Sequence, residues 1–282
     1  FTPRMKKTAY GSAATLLLAI ATLVIPALAS SPATAKDDDA VSRTATPVAR
    51  TASVPKPAPA VQAPKVVPAP PAQPASAAFP SFDAPGLRPH VLSLALEAAG
   101  EADRRGLVKR PELLTVIDYS LPSTEERLWV LDLERGRVLY HELTTHGQGS
   151  GGNMATEFSN VSMSLKSNLG LMTTSETYYG KNGYSLRLDG HEQGFNDQAR
   201  PRAIVIHGAD YATPAFISRI GRLGRSWGCP ALDPKVSRQL IDTIKGGSGV
   251  FGYYPSEGYL TKSAFLGDAG AEVLRTATQL AP

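Results

Sequence analysis

Cysteine is nearly absent from this chain: its 282 residues hold a single one, Cys229. A lone thiol excludes an internal disulfide, so stability must come from an apolar core. Long hydrophobic runs are scarce too. Ala13 to Ile25 is apolar but short for a bilayer span, and no second run follows. Charge of one sign is also missing: the formal net charge of +4 falls to +1 once Arg4, Lys6 and Lys7 of the leader are set aside. No basic stripe with interleaved aromatics is present, so binding to nucleic acid finds little support. Metal-ligand spacing is lacking as well. His191-Glu192 has no partner at zinc spacing, and Asp189, Asn196 and Asp197 do not match a calcium loop. That stretch reads as a solvated loop, and the sequence calls for no metal and no cofactor.

What is present begins with a leader. Met5-Lys6-Lys7 is basic, Ala13 to Ile25 is apolar, and Ala27-Leu28-Ala29 is a small-residue cleavage signal. Together they predict a secretory signal peptide over residues 1–29, with Phe1 to Arg4 as an upstream stub; the competing reading is a retained anchor. No cysteine lies near the cleavage site, which argues against a lipoprotein. After cleavage no integral membrane association is expected, and the mature protein belongs outside the cytoplasm. Residues 30–80 are mostly Ala, Pro, Val, Thr and Ser with repeated Pro-Ala-Pro units, which predicts a disordered, partly extended linker. One folded domain is expected over residues 81–262, followed by a peripheral tail over 263–282.

Within that domain Val91, Leu94, Ala95 and Ala98 form an apolar stripe, predicting a helix from Val91 to Arg105. His90 at its start reads as a surface or capping residue. From Leu113 the period becomes that of strands: Leu114 to Tyr119, Arg127 to Glu134, a turn at Arg135-Gly136, and Arg137 to Thr145. Trp129, Leu131 and Leu133 share one face of the hairpin, and His141 reads as a half-exposed strand residue. His146-Gly147-Gln148-Gly149-Ser150-Gly151-Gly152 satisfies a Gly-x-Gly-x-x-Gly pattern, yet no β-α-β unit follows, which disfavours a dinucleotide site. It reads instead as a flexible loop lining a substrate cleft, with His146 near that cleft. Glycines at 170, 180, 183, 190 and 194 punctuate a loop-rich β region of short strands such as Ser185 to Leu188, and Gly249 to Tyr254 offers a last strand.

The organising stretch runs from Ala203 to Leu232. Ala203 to Ile206 predicts a buried strand that delivers His207 at its end. Thr213 can cap a helix over Pro214 to Ile220 that Gly221 closes, and Asp233-Pro234 repeats the start signal, with Val236, Leu240, Ile241 and Ile244 at helical spacing. Cys229 sits just upstream of that second helix, whose N-terminal field would favour a thiolate if aimed at the sulfur. Two readings of Cys229 stand side by side: an inert buried small hydrophobe, or a nucleophile with His207 as its base. Gly228 allows a tight turn in which the N–H groups of Gly228 and Cys229 converge on an oxyanion.

The His-Gly pair, the spacer and the Ser-x-Gly-Cys of residues 207–229 resemble the active-site signature of the L,D-transpeptidases of bacterial peptidoglycan, the YkuD-like family. The closest resemblance is to the murein L,D-transpeptidase catalytic domain group. It runs from about Leu113 to Tyr254 and includes Ser167-Asn168-Leu169-Gly170, Glu176 to Lys181, Ser185 to Gly190 and Gly194 to Asp197. It implies a mainly β fold, sandwich-like or barrel-like, with a few peripheral helices. It also implies Cys229 as nucleophile, His207 as base, peptidoglycan stem peptides as partners, and the periplasm or cell wall as location. The Gly208 carbonyl would orient the imidazole, and Ser226 would either hydrogen-bond near the cysteine or cap the turn.

Two departures stand out: Trp227 replaces a histidine of the commonest family form, and Ala231 replaces an arginine. The substrate-carboxylate contact must then come from elsewhere, with Arg225 and Arg187 as candidates and His146 and Trp227 as further substrate contacts. Hydrolysis by water, giving an L,D-carboxypeptidase, is the alternative outcome. A sortase-like or other cysteine peptidase and a non-catalytic wall-binding module are the alternatives of other classes.

Overall fold

Leu113–Asp118 forms β1, where the two halves of the sheet meet, in a computed structural model that describes residues 83–279, with side chains as far as residue 276. The signal peptide and linker expected over residues 1–80 lie outside the described residues. The other strands are β2 (Glu126–Asp132), β3 (Arg137–Leu143), β4 (Gly170–Gly180), β5 (Gly183–Gly190), β6 (Val205–Gly208), β7 (Ala231–Leu232) and β8 (Gly249–Tyr253). Five helices accompany them: α1 (Pro89–Arg104), α2 (Pro214–Ile220), α3 (Pro234–Ile244), α4 (Glu257–Lys262) and α5 (Gly267–Gln279). The sheet order is β3-β2-β1-β8-β4-β5-β6-β7, antiparallel except at β1–β8 and β6–β7.

The sheet curls until its ends meet. Just past β3, Thr145 N donates to Ala231 O at 3.1 Å, and Gly147 bridges Ser226 in parallel register. This joins the ends of a barrel-like sheet just past β3, while β3 itself pairs only with β2 among the described residues. The mainly β, barrel-like fold with peripheral helices is the one that the resemblance implies.

All six residues of β1 are buried because α1 and α3 both pack against it. In α1 the predicted stripe Val91, Leu94, Ala95 and Ala98 is fully buried and Ala102 extends it. Truncating Leu94 to alanine would cost about 2–5 kcal/mol. In α2 the Thr213 side chain accepts from Phe216 N, and Gly221 ends the helix at φ +77°, as its start and stop signals predict. In α3 Ser237 rather than Val236 faces inward with Leu240, Ile241 and Ile244. The reason is a close approach: a Cβ on Gly208 would lie 2.6 Å from Ser237 Oγ, so the strand and helix touch through their smallest side chains.

Four expectations change. The strand expected at Ala203 to Ile206 begins two residues later, because Ala203 adopts φ +54° and ends a turn. His207 is therefore paired on both sides, with Ser185 of β5 and Ala231 of β7. The loop-rich region contains the long β4–β5 hairpin, whose polar Thr and Tyr residues are good strand formers despite their polarity. The 191–197 loop is solvated only in part: Gln193 and Gly194 are exposed, but Glu192 and Asn196 are buried. Asn196 is buried, its Oδ1 accepts from His191 N and Glu192 N, and its Nδ2 donates to Leu169 O and Leu171 O. Buried Glu192 accepts from Leu171 N at 2.6 Å and Tyr259 OH at 3.0 Å, and from Ser263 Oγ. Finally, Phe265 and Leu266, in the stretch expected as a peripheral tail, are core residues.

Candidate active site

β6 and the segment entering β7 hold the two residues of interest. Cys229 is 8% exposed, its Sγ accepts from Val205 N at 3.4 Å and lies 3.7 Å from Ala203 O as donor. Burial pushes the thiol above its ordinary value, while the Val205 N–H, the Arg202 guanidinium and the N–H of Cys229 itself pull it down. Of these groups Val205 and Arg202 belong to β6 and its approach, and none to α3.

His207 is 2% exposed, with Nδ1 3.0 Å from the Gly208 carbonyl oxygen. A carbonyl only accepts, so Nδ1 carries the proton and Nε2 keeps its lone pair. Burial lowers the imidazole below its ordinary value, against a smaller rise from the Gly208 bond. Since His207 pairs with Ala231, Cys229 stands two residues back on the parallel neighbour, an offset of about 7 Å along the strand. Among the described residues no hydrogen bond joins the imidazole to the sulfur.

Ser226 caps the turn. Its Oγ donates to Cys229 O at 2.6 Å and accepts from Gly228 N at 3.0 Å. The Gly228 N–H is thereby taken, which corrects its expected role as an oxyanion donor and leaves the Cys229 N–H from that pair. Gly228 itself has φ +124°, and a Cβ there would stand 2.7 Å from Lys166 O.

Beneath this turn lies a buried polar layer that sequence reasoning missed. Ser167 Oγ donates to Gly228 O at 3.0 Å and accepts from Gly147 N at 3.0 Å. Arg127, fully buried, donates to Thr144 O, Leu121 O and His146 Nδ1, the last at 2.8 Å. Desolvation lowers Arg127 to about 10 and raises neighbouring Tyr119 to about 12. Ser167 lay in a segment carrying the resemblance, yet nothing in its own pattern gave its role. Arg127 and Arg202 had no signal beyond charge. Arg202 fans out to Ser159 O, Asn168 Oδ1 and Lys166 O beside the sulfur.

The sequence model of the L,D-transpeptidase catalytic domain family matches residues 83–253, more than half of the chain. The chain belongs to that family. Solved structures similar to this L,D-transpeptidase-family chain include three from different bacteria. An L,D-transpeptidase from Mycobacterium smegmatis is 17% identical, with 51% of this chain and 59% of that one covered and a TM-score of 0.30. L,D-transpeptidase (Yku) from Stackebrandtia nassauensis is 15% identical over 56% and 65%, TM-score 0.31. The helical cell shape determining protein Pgp2 from Campylobacter jejuni is 14% identical over 50% and 46%, TM-score 0.34. The chain spans less than two thirds of each of these neighbours, and family membership rests on the sequence match. No curated protein matches it.

For an L,D-transpeptidase-family chain without the arginine after the cysteine, the cations near the site matter. Arg187 is not free: it pairs with Glu176 at 3.0 Å and stacks on Tyr178. Arg225 Nη1 donates to Gly151 O at 2.8 Å, tying down the glycine loop. His146 is not a cleft residue either. It is fully buried between Arg127 and Gly152 O, and burial lowers it to about 4. The glycine loop is likewise packed rather than flexible: a Cβ on Gly147 would meet Leu165 O at 2.2 Å. Trp227 is 66% exposed, and Lys181 Nζ lies 5.7 Å from its ring centroid. A cleft of about 500 Å³ opens beside His207, lined by Lys181, Tyr184, Asp210 and Tyr211. A cavity of about 580 Å³ among α1, β8 and α5 shares no residue with the site. Among the described residues, no three His, Cys, Asp or Glu side chains converge as a metal site, and no helix is long and apolar enough to cross a membrane.

Proposed function

We propose that this protein is a cysteine-dependent murein L,D-transpeptidase that acylates Cys229 with a peptidoglycan stem tetrapeptide, releases D-alanine and passes the acyl group to an amine. The observation that carries the reading is the His207 tautomer. Nδ1–H is locked on Gly208 O, so Nε2 is the basic nitrogen of a histidine two residues out of register with the chain's one thiol.

In the first half-reaction Nε2 takes the thiol proton while Sγ attacks the carbonyl before the terminal D-alanine. The Cys229 N–H is the donor that this turn leaves for the developing oxyanion. The C–N bond then breaks as His207 returns the proton to the leaving amine. In the second half an acceptor amine attacks the thioester, the C–S bond breaks, and the sulfur recovers a proton through His207. Water in place of the amine gives carboxypeptidase activity at the same centre. Export through the leader, a linker over residues 30–80 and action in the periplasm or cell wall complete the proposal.

Intact-mass spectrometry of the full chain mixed with a defined stem tetrapeptide tests it. The expected species is an acyl adduct on Cys229 with one D-alanine released, absent from Cys229→Ala. A folded Cys229→Ala protein that still releases D-alanine would overturn the assignment.

A further inference from the structure

Three successive peptide groups make up the cysteine turn, and they are not held by the same residue. In the first, which joins Trp227 to Gly228, the Gly228 N–H donates to Ser226 Oγ. In the third, which joins Cys229 to Pro230, the Cys229 carbonyl accepts from Ser226 Oγ at 2.6 Å and from Thr145 Oγ1 at 3.4 Å. The middle group joins Gly228 to Cys229 and carries the N–H that this turn leaves for an oxyanion. Its carbonyl accepts from Ser167 Oγ at 3.0 Å, and among the described residues no other residue hydrogen-bonds this peptide group.

Without that bond the middle plane would turn easily, because Gly228 has no Cβ and sits at φ +124°. Ser167 is itself firmly placed. It is fully buried on the approach to β4, its N–H donates to Ser150 Oγ at 2.9 Å, and its carbonyl accepts from Ser159 N at 3.1 Å. Its hydroxyl is equally committed: the one proton lies on Gly228 O, since a carbonyl only accepts, and the oxygen accepts from Gly147 N and hydrogen-bonds the buried Tyr119 hydroxyl. A peptide group is planar and trans, so its C=O and N–H point in opposite directions. Holding Gly228 O on Ser167 therefore turns the Cys229 N–H away from the buried layer, and that N–H is close enough to its own sulfur to pull the thiol down.

We infer that Ser167 is the positioning residue of the oxyanion donor: from outside the cysteine turn, it sets the direction of the Cys229 N–H before substrate binds. The inference rests on the reading of Cys229 as a nucleophile that is acylated. The role is confined to steps that build negative charge on a carbonyl oxygen. When Sγ attacks an ester or amide carbonyl, the C–S bond forms, the π pair of the C=O moves onto oxygen, and the Cys229 N–H stabilises that charge while the thiol proton passes to His207. Displacement of iodide from iodoacetamide forms the C–S bond at a saturated carbon, and no oxyanion develops. The two reactions share the thiol, but only the first needs the oriented N–H.

p-Nitrophenyl acetate and iodoacetamide, applied to the full-length protein at one pH, separate the two reactions. Acetylation releases p-nitrophenolate as the ester C–O bond breaks, mass spectrometry places the adduct on Cys229, and Cys229→Ala supplies the background. Ser167→Ala should slow acetylation by about tenfold to a hundredfold, less than outright loss of an oxyanion donor, and leave alkylation almost unchanged. Ser248→Ala removes another buried hydroxyl, one that donates to Ile244 O, and should lower stability without separating the two rates. Equal slowing of both reagents in Ser167→Ala would make Ser167 a support of the whole turn, and two unchanged rates would leave it no part in acylation; either overturns the inference. A second measurement stands even where Ser167→Ala does not fold. In the unsubstituted protein labelled with carbon-13 and nitrogen-15, acetylation should move the Cys229 N–H resonance downfield and leave the Gly228 carbonyl resonance near its resting position, because the plane is already set. A large shift of that carbonyl would show the plane turning on acylation and overturn the preset orientation. Failure of the unsubstituted protein to acetylate at Cys229 would defeat the nucleophile reading and this inference together, whereas the other adverse outcomes count against Ser167 alone.

Discussion

The backbone N–H of Val205 is aimed at Cys229 Sγ across 3.4 Å, on a sulfur that burial otherwise holds in its neutral form. Burial pushes the thiol up and the His207 imidazole down, so at neutral pH both are uncharged at rest. In the proposed mechanism the thiol proton passes to His207 only as substrate is attacked, so a resting thiol of this kind should react slowly with small electrophiles.

Alkylation of Cys229 by iodoacetamide should therefore accelerate through alkaline pH, with a midpoint above the ordinary thiol value of about 8.5. His207→Ala should leave that midpoint nearly in place while slowing stem-peptide acylation by about two to four orders of magnitude. Arg202→Met should raise the midpoint further, because it removes a positive charge that favours the thiolate. A rate plateau below pH 7 would contradict a neutral resting thiol.

Gly228→Ala should abolish acylation. At φ +124° the new Cβ would stand 2.7 Å from Lys166 O and 2.9 Å from Ile204 Cδ1. Backbone strain of this kind costs about 1–3 kcal/mol, so the variant should fold with a lowered unfolding midpoint. Urea unfolding measured alongside acyl-adduct yield checks both halves.

His146 gives the fold an acid limit. Its folded value of about 4 lies below the unfolded 6.5, so between these values the unfolded chain binds more protons and stability rises with pH. The stabilisation is fully present above pH 6.5 and lost as pH falls toward 4, on the order of 3 kcal/mol in all. His146→Asn, whose amide oxygen can still accept from Arg127, should lose most of this slope. Urea midpoints at several pH values between 4 and 7 would show it.

Glu192 is a buried carboxyl that holds donors from three elements. Burial raises it despite the donors from Ser263, Leu171 and Tyr259, so its contribution is greatest at low pH and declines as pH rises through its folded value. Glu192→Gln keeps an acceptor and should change stability by no more than about 1 kcal/mol at pH 7. Glu192→Ala leaves three donors unmatched and should cost about 2–4 kcal/mol. Thermal unfolding of the two variants separates these outcomes.

Local signals in the sequence carried through where they act over one turn or one strand. Thr213, Pro214 and Gly221 bound α2, and the stripe of α1 is dictated by its own spacing. His207 and Cys229 were legible as candidates because a strand-end histidine and a Gly-Cys turn lie close in the chain, and β6 does run beside β7, just after Cys229. What sequence could not give was partnership at a distance. Arg127 binds carbonyls and His146 rather than an acid, and Glu192 serves an amide, a tyrosine and a serine from three elements. Polarity in the one-dimensional string suggested solvent for such residues, when their task is to satisfy buried backbone groups. Arg187 and Arg225 looked available for the same reason, because Glu176 is brought to Arg187 by the pairing of β4 with β5 and Gly151 to Arg225 by the closing of the sheet.

The seam where the sheet closes joins Thr145 and Gly147 to Ala231 and Ser226, and so runs through the very turn that carries Cys229. Opening that turn means unzipping the barrel, because each of its ladder contacts belongs to both. Fraying of the turn should therefore also loosen the seam. Loss of activity on heating is then expected to coincide with loss of the fold, and with exposure of the chain to proteases.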